Sequence, residues 1–345
     1  MKISIKFLAP LVIGVFFAGQ IYGQGNNTDP VTYEELYDDP ESIRKLFVGF
    51  QPLYGELWAT NPNAGFGLDA IYYLKKAADF RVHVRKTYAA MFDTYLQSAI
   101  NNSHMDNEPY TLTHFEGGGS YHFKEELLDG ETKMVLYKRN YRGSRWAAQV
   151  PMTIVVPSKV RRIMAARLGG IYYQTSTDLD RILERQGLSK ADLLTPEGLP
   201  MPEQAPDALG NLENINVYGN ISTGGFYTGV SMSWFRNVAV KIDKHEPGID
   251  DHLMTAYADL LIMPFIGAEN VFYQDQEYLV DNIATTMIGF RVGMEGRFNR
   301  MLSWGYGGEI GYKPGYKSGG LSILLKLSLP VFGTDLDYNV ESFAK

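Results

Sequence analysis

Apolar and polar residues alternate one for one along most of this chain. Between 287 and 298, Ile288, Phe290, Val292 and Met294 interleave with Gly289, Arg291, Gly293 and Glu295. Leu321, Ile323, Leu325, Leu327, Leu329 and Val331 face away from Ser322, Lys326 and Ser328. Phe66, Leu68, Ala70, Tyr72 and Leu74 oppose Gly65, Gly67 and Asp69, and Phe80, Val82 and Val84 oppose Arg81, His83 and Arg85. Side chains on a strand point alternately to its two faces, so each segment reads as a strand with one apolar face. The pattern places strands near 65–74, 79–90, 110–127, 131–141, 145–156, 160–174, 213–221, 225–242, 253–267, 284–298, 301–313 and 319–331. That makes about 12, with 10 the nearest alternative, and single-chain barrels carry even numbers.

A sandwich hides the apolar face inside, whereas a membrane barrel turns it to lipid and lines its lumen with polar groups. The strands run to about 10–17 residues, beyond the usual 5–6 and enough for the 9–11 that cross a bilayer. Phe298, Trp304, Tyr312, Tyr316 and Phe332 fall near strand ends, where an interfacial aromatic girdle would sit. The opposite face carries Arg, Glu and Gly. The expected fold is therefore all-β, an antiparallel transmembrane β-barrel.

Two stretches depart from the alternation. Leu36, Ile43, Leu46 and Phe47 recur at helical spacing and predict a short helix within 33–50. Leu179, Ile182 and Leu183 predict a second around 177–194, before Pro196, Pro200, Pro202 and Pro206 interrupt regular structure. An apolar stripe must be buried somewhere, which makes Leu179, Ile182 and Leu183 a candidate partner-docking surface. Gly117, Gly118 and Gly119 read as a bulge or bend.

Composition narrows the setting. The 345 residues carry Lys+Arg 32 against Asp+Glu 39, a net charge of -7, so no basic excess exists to displace phosphate counterions and nucleic acid is excluded as a broad partner. With Cys 0, neither a disulfide nor a cysteine-linked lipid anchor can form. Lys2 and Lys6, an apolar run over 7–17 and small residues up to Gly23 have the order of a secretory signal peptide cleaved near Gly23.

Taken together, the signal segment, the missing cysteine, the glycine and tyrosine content and the alternation over 287–332 resemble Gram-negative outer-membrane β-barrel proteins, at the level of pattern and without a specific subfamily. The resemblance implies a cell outer-membrane location, contact with outer-membrane lipid and a periplasmic position for both termini. It divides the chain into a signal peptide (1–23), an N-terminal periplasmic or plug segment (24–63), a barrel (64–332) with a helical insertion (175–212), and a tail (333–345). Barrels of this kind commonly end on an aromatic residue, whereas here Phe332 is followed by a polar tail. With 12 strands, the longer connections 91–109, 175–212 and 243–252 fall on the periplasmic side.

If the apolar parity faces lipid, Asp69, Arg81, Arg85, Arg167, Asp259, Arg291, Glu295, Arg297, Glu309 and Lys326 point inward. Mixed signs favour a salt-bridged network that fills a closed or nearly closed barrel. Catalysis has one candidate: Ser120 and His122 share a strand face, as do His114 and Glu116, and a serine needs a base to become a nucleophile. No barrel-hydrolase motif surrounds them, and no metal-ligand set, phosphate loop or dinucleotide fingerprint calls for a metal or cofactor. The leading expectation is a non-enzymatic outer-membrane barrel acting as scaffold or accessory subunit of a larger envelope assembly, for secretion, protein insertion or surface attachment, with protein partners. A small-solute channel is the alternative, and a lipid-acting hydrolase at Ser120 and His122 the second.

Overall fold

Ten alternating segments hydrogen-bond into one closed antiparallel sheet in the computed structural model. The structure describes residues 32–58, 61–74, 77–101, 104–136, 153–206, 209–243, 245–299, 304–317 and 321–334, so the signal segment and almost all of the tail lie outside the described residues. The barrel strands are β1 (Leu46–Leu57), β2 (Asn63–Leu74), β3 (Ala78–Thr87), β4 (Thr113–Val135), β5 (Thr153–Asp178), β6 (Tyr218–Phe235), β7 (His252–Ala268), β8 (Ile288–Phe298), β9 (Gly305–Tyr312) and β10 (Ser322–Gly333). Each pairs with its sequence neighbours, and β10 closes on β1. The outer wall is apolar all round. Leu53, Leu68, Val82, Phe115, Leu168, Val230, Leu260, Val292, Ile310 and Leu327, one from each strand, are exposed.

The count of ten rather than 12 has three sources of merger and one omission. Asp129-Gly130 is not a hairpin, since β4 runs through it with Asp129 opposite Lys159 and Gly130 opposite Ser158. Pro157 likewise interrupts nothing, because a two-stranded ribbon tolerates a missing donor at its edge. Segments 213–221 and 225–242 become β6, which ends at Phe235, and a separate strand Val238–Ile242. The omitted strand is β1. Phe47, Gly49 and Gln51 are buried, then Tyr54 and Glu56, so the parity shifts between Gln51 and Tyr54 where the pairing with β2 is irregular. That bulge, at Pro52, breaks the period of two, so the alternation of 46–51 does not run on into 53–57. Pro40 would have broken any helix over 33–50 in any case, and Tyr33–Asp38 is a strand.

The added strand reverses the direction expected for 65–74, 79–90, 110–127, 160–174 and 213–221, whereas the three mergers restore it from 225–242 onward. The described chain begins and ends at one end of the barrel, the terminal end. There it is joined by the connections 75–77, 136–152, 236–251 and 299–304. The connections 58–62, 88–112, 179–217, 269–287 and 313–321 lie at the other end. Segments 91–109 and 175–212 are thus opposite the termini, not beside them, while 243–252 stays at the terminal end.

Gly117, Gly118 and Gly119 form no bulge; the register shift falls between His122 and Lys124. Their use is clearance. A Cβ on Gly118 would lie 2.3 Å from the Tyr227 hydroxyl, and one on Gly169 would lie 2.6 Å from the Tyr227 ring.

Both ends carry folded units. At the terminal end, β4 and β5 continue as a two-stranded ribbon to Val135 and Thr153, past the last β3 pairing at Ala78 and Tyr121. A small sheet of Tyr33–Asp38, Val238–Ile242 and Gly248–Asp250 packs there, with Met134, Val156, Val238, Val240 and Ile242 buried together. At the far end the long connections form a cap. It holds α1 (Thr94–Asn101) and α2 (Leu179–Gln186), the latter capped by the Asp178 carboxylate at Arg181 N and stopped by Gly187 at φ 73°. Asp93 caps α1, accepting from Leu96 N at 2.8 Å while fully buried beside Asn61.

Burial holds the Asp93 carboxyl above its ordinary value of 3.8. The folded protein therefore keeps this proton to a higher pH than the unfolded chain does. The stability it contributes is complete below 3.8 and is lost as the pH rises through the raised folded value. Asp93→Asn keeps a capping oxygen and should remove that slope from thermal midpoints measured against pH, whereas Asp93→Ala should cost about 1 kcal/mol through loss of the cap.

Candidate functional site

Closing ten strands turns their second parity inward, and the chain fills that space with charge. Among the described residues the lumen holds seven cations (Arg81, Arg85, Arg167, Arg291, Arg297, Lys313, Lys326) and seven anions (Glu56, Asp69, Asp79, Glu116, Asp259, Glu295, Glu309). The formal charge therefore cancels with histidine neutral. An isolated charge in such a place is costly by several kcal/mol, so pairing is a condition of folding here.

The middle layer centres on Arg291. Its guanidinium donates to both Glu116 carboxylate oxygens at 2.7 and 2.6 Å and to Asp259 Oδ2 at 2.9 Å. Arg167 donates to both oxygens of the same Asp259 at 2.9 and 3.2 Å. Tyr227 and Tyr257 flank the two arginines, with Arg167 4.3 Å from the Tyr257 ring centre and Arg291 4.8 Å from that of Tyr227. Glu309 accepts from the Tyr257 hydroxyl at 2.9 Å and faces Arg291 and Arg85 at 3.8 and 3.9 Å. Arg85 also reaches His114 at 3.0 Å.

Toward the terminal end, Arg81 bridges Asp79 at 2.8 Å and Glu295. Glu295 meets Lys326 at 3.4 Å and Arg297 at 3.8 Å, and Arg297 faces Asp69 at 3.9 Å. At the cap end Lys313 pairs with Glu56, its ammonium 5.2 Å from the Trp58 ring centre and 5.4 Å from that of Tyr173.

Apolar side chains close the column on both sides. Phe47, Ile71, Tyr73, Ile163, Phe235 and Leu253 are buried together at the terminal end. Trp58, Ile171, Tyr173, Tyr227, Leu261 and Met263 form the equivalent cluster toward the cap. The cavities left among the charges measure about 20, 40 and 10 Å³, room for isolated waters and no more.

All ten inward charges expected from the alternation lie in this column and each has an ionic partner within 4 Å. Four further members, Glu56, Asp79, Glu116 and Lys313, escaped that reading. Asp79 has the parity of Arg81, and Glu116 that of His114, so both were open to the same arithmetic. Glu56 was hidden with β1, and Lys313 lies beyond the end of β9. Of the girdle residues, Trp304 and Phe332 are exposed, while Phe298 is half-buried against His252. Tyr312 is half-buried too, but Tyr316 is buried under the cap, because Gly315–Tyr316 pairs with Thr285–Thr286.

The stripe Leu179, Ile182 and Leu183 is 0, 0 and 1% exposed. It is already buried by Met201, Ile215, Val217 and Tyr316 of the same chain, so it offers no surface to a partner. The cap is what that stripe was patterned to hold.

Ser120 and His122 meet through a third residue. Ser120 Oγ donates to Asp79 Oδ1 at 3.2 Å, His122 Nε2 lies 3.0 Å from Asp79 Oδ2, and Arg81 Nε donates to Asp79 Oδ1 at 2.8 Å. The carboxylate stands between serine and histidine, the reverse of the order in which histidine relays the serine proton. His114 lies 3.6 Å from Glu116 inside the column. Among the described residues no cluster of three metal-ligating side chains occurs, and no helix is long and apolar enough to cross a membrane.

Removing one member of a buried pair strands the other. Glu116→Leu alone should cost about 3–5 kcal/mol in urea unfolding, and adding Arg291→Met should recover part of it, since the double variant leaves less uncompensated charge. The chain matches no known protein-family model and no curated protein sequence.

Proposed function

We propose that this protein is a closed, non-enzymatic outer-membrane barrel that serves as a fixed platform within an envelope assembly. The observation that carries the reading is the filled lumen. Among the described residues, a charge column whose signs cancel is stoppered by apolar residues at both ends, and the cavities between its charges measure about 10–40 Å³, too small for a solute larger than water. The exposed apolar residue on every strand suits contact with lipid, and the terminal end would face the periplasm.

A platform also needs something to present. Here both ends carry folded units, a cap with its own apolar core on one side and a ribbon with its small sheet on the other. The Asp79-centred arrangement of Ser120 and His122 is better suited to anchoring the column than to hydrolysis.

Purified protein in a planar bilayer should give no conductance steps, and gentle detergent extraction should recover it with stoichiometric protein partners. Steady conductance would replace the platform with a channel. A lone particle at monomer mass would remove the assembly role.

A further inference from the structure

The cap contains a pocket that the lumen account does not use. A cavity of about 180 Å³ opens between α1, the start of α2 and the start of β6, lined by Tyr95, Ser98, Asp178, Asp180, Asn216 and Tyr218. We propose that this pocket binds a single neutral sugar ring, such as the terminal residue of a glycan.

The lining combines flat aromatic rings with acceptors that are held in place. Asp180 Oδ2 accepts from Val217 N at 2.9 Å and its Oδ1 faces Lys190 at 3.3 Å. Asp178 Oδ1 accepts from Arg181 N at 3.0 Å. An ionised carboxylate has about four acceptor sites, so both groups keep capacity for hydroxyl donors and need no reordering to use it. The Tyr218 hydroxyl donates to the Asn107 carbonyl, and Arg181 sits 5.8 Å from the Tyr95 ring centre, which fixes both rings. A sugar ring supplies hydroxyls to the carboxylates and a C–H face to a tyrosine.

Charge argues against an ammonium ligand, because Arg181 and Lys190 already face the two carboxylates. Size argues against anything larger, since drug-sized ligands occupy roughly 300–1,000 Å³. Burial also holds the Asp180 carboxyl above its ordinary value, so a donated hydroxyl would meet an acceptor that its surroundings satisfy incompletely. The pocket stands on its own geometry and does not depend on the membrane reading.

The test uses the full chain in detergent, titrated with methyl glucoside, methyl galactoside and methyl mannoside, with methylammonium as the charged comparator and binding read by saturation-transfer NMR. At least one glycoside should bind saturably. Asp180→Asn should weaken it about tenfold or more, as expected for loss of a hydrogen bond to a charged group. Ser98→Leu, which fills the pocket from the exposed face of α1 and leaves the Asp180–Val217 contact alone, should abolish it. Absence of saturable binding by all three glycosides, unchanged affinity in Ser98→Leu, or displacement of the sugar by methylammonium would each overturn the proposal.

Discussion

The bidentate contact of Arg291 with Glu116, and the Asp259 that Arg291 shares with Arg167, are the interactions on which the rest of the barrel depends. Ten strands closed on themselves leave a lumen that something must occupy. Leaving the guanidinium of Arg291 without a partner there would cost several kcal/mol, a large fraction of what holds any domain together. Its partners come from β4, β7 and, at longer range, β9, so satisfying one side chain positions strands on several sides of the sheet. Tyr227, which flanks the arginines, needs the space left by Gly118 and Gly169, and Tyr257 needs that left by Gly293. Charge balance, aromatic packing and glycine placement are parts of one requirement.

Much of this was legible in the residues. Alternation along β2, β3, β5, β7, β8, β9 and β10 revealed both the apolar wall and the ten inward charges, because a period of two survives wherever a strand is regular. It failed where backbone irregularity broke the period. The bulge at Pro52 concealed β1, and with it Glu56 and the end of the barrel at which 91–109 and 175–212 lie. Turn dipeptides misled in the opposite sense: Asp129-Gly130 lies within a ribbon whose partner strand continues alongside, and a local signal yields to that pairing. The helical stripe of Leu179, Ile182 and Leu183 was read correctly as apolar and wrongly as available. Nothing in a periodicity says whether the covering surface belongs to the same chain.

The folded ends give the filled barrel its interest. On the proposed reading, the task lies in what the wall holds at its two faces. The cap is stabilised independently of the lumen by its own apolar cluster and by capped helices, each buried aliphatic side chain of α2 contributing about 1.5–3 kcal/mol. That rigidity is what a small pocket needs if its carboxylates are to meet a ligand without first being ordered. At the other end, the ribbon of β4 and β5 carries apolar residues beyond the barrel and buries them against a sheet formed by distant segments, which ties 33–38 to 238–250.

The measurement that tests this account most directly uses the absence of native cysteine. Single cysteines placed at successive positions along β3, β5 and β8 in protein reconstituted in lipid vesicles would be assayed with a lipid-confined quencher and a water-soluble thiol reagent. The account predicts strict alternation: positions such as Val82, Leu168 and Val292 meet the lipid quencher, and positions such as His83, Arg167 and Arg291 react with neither probe. Reaction of the inward set with the aqueous reagent would contradict a filled lumen, and reaction of the outward set with it would contradict a wall facing lipid.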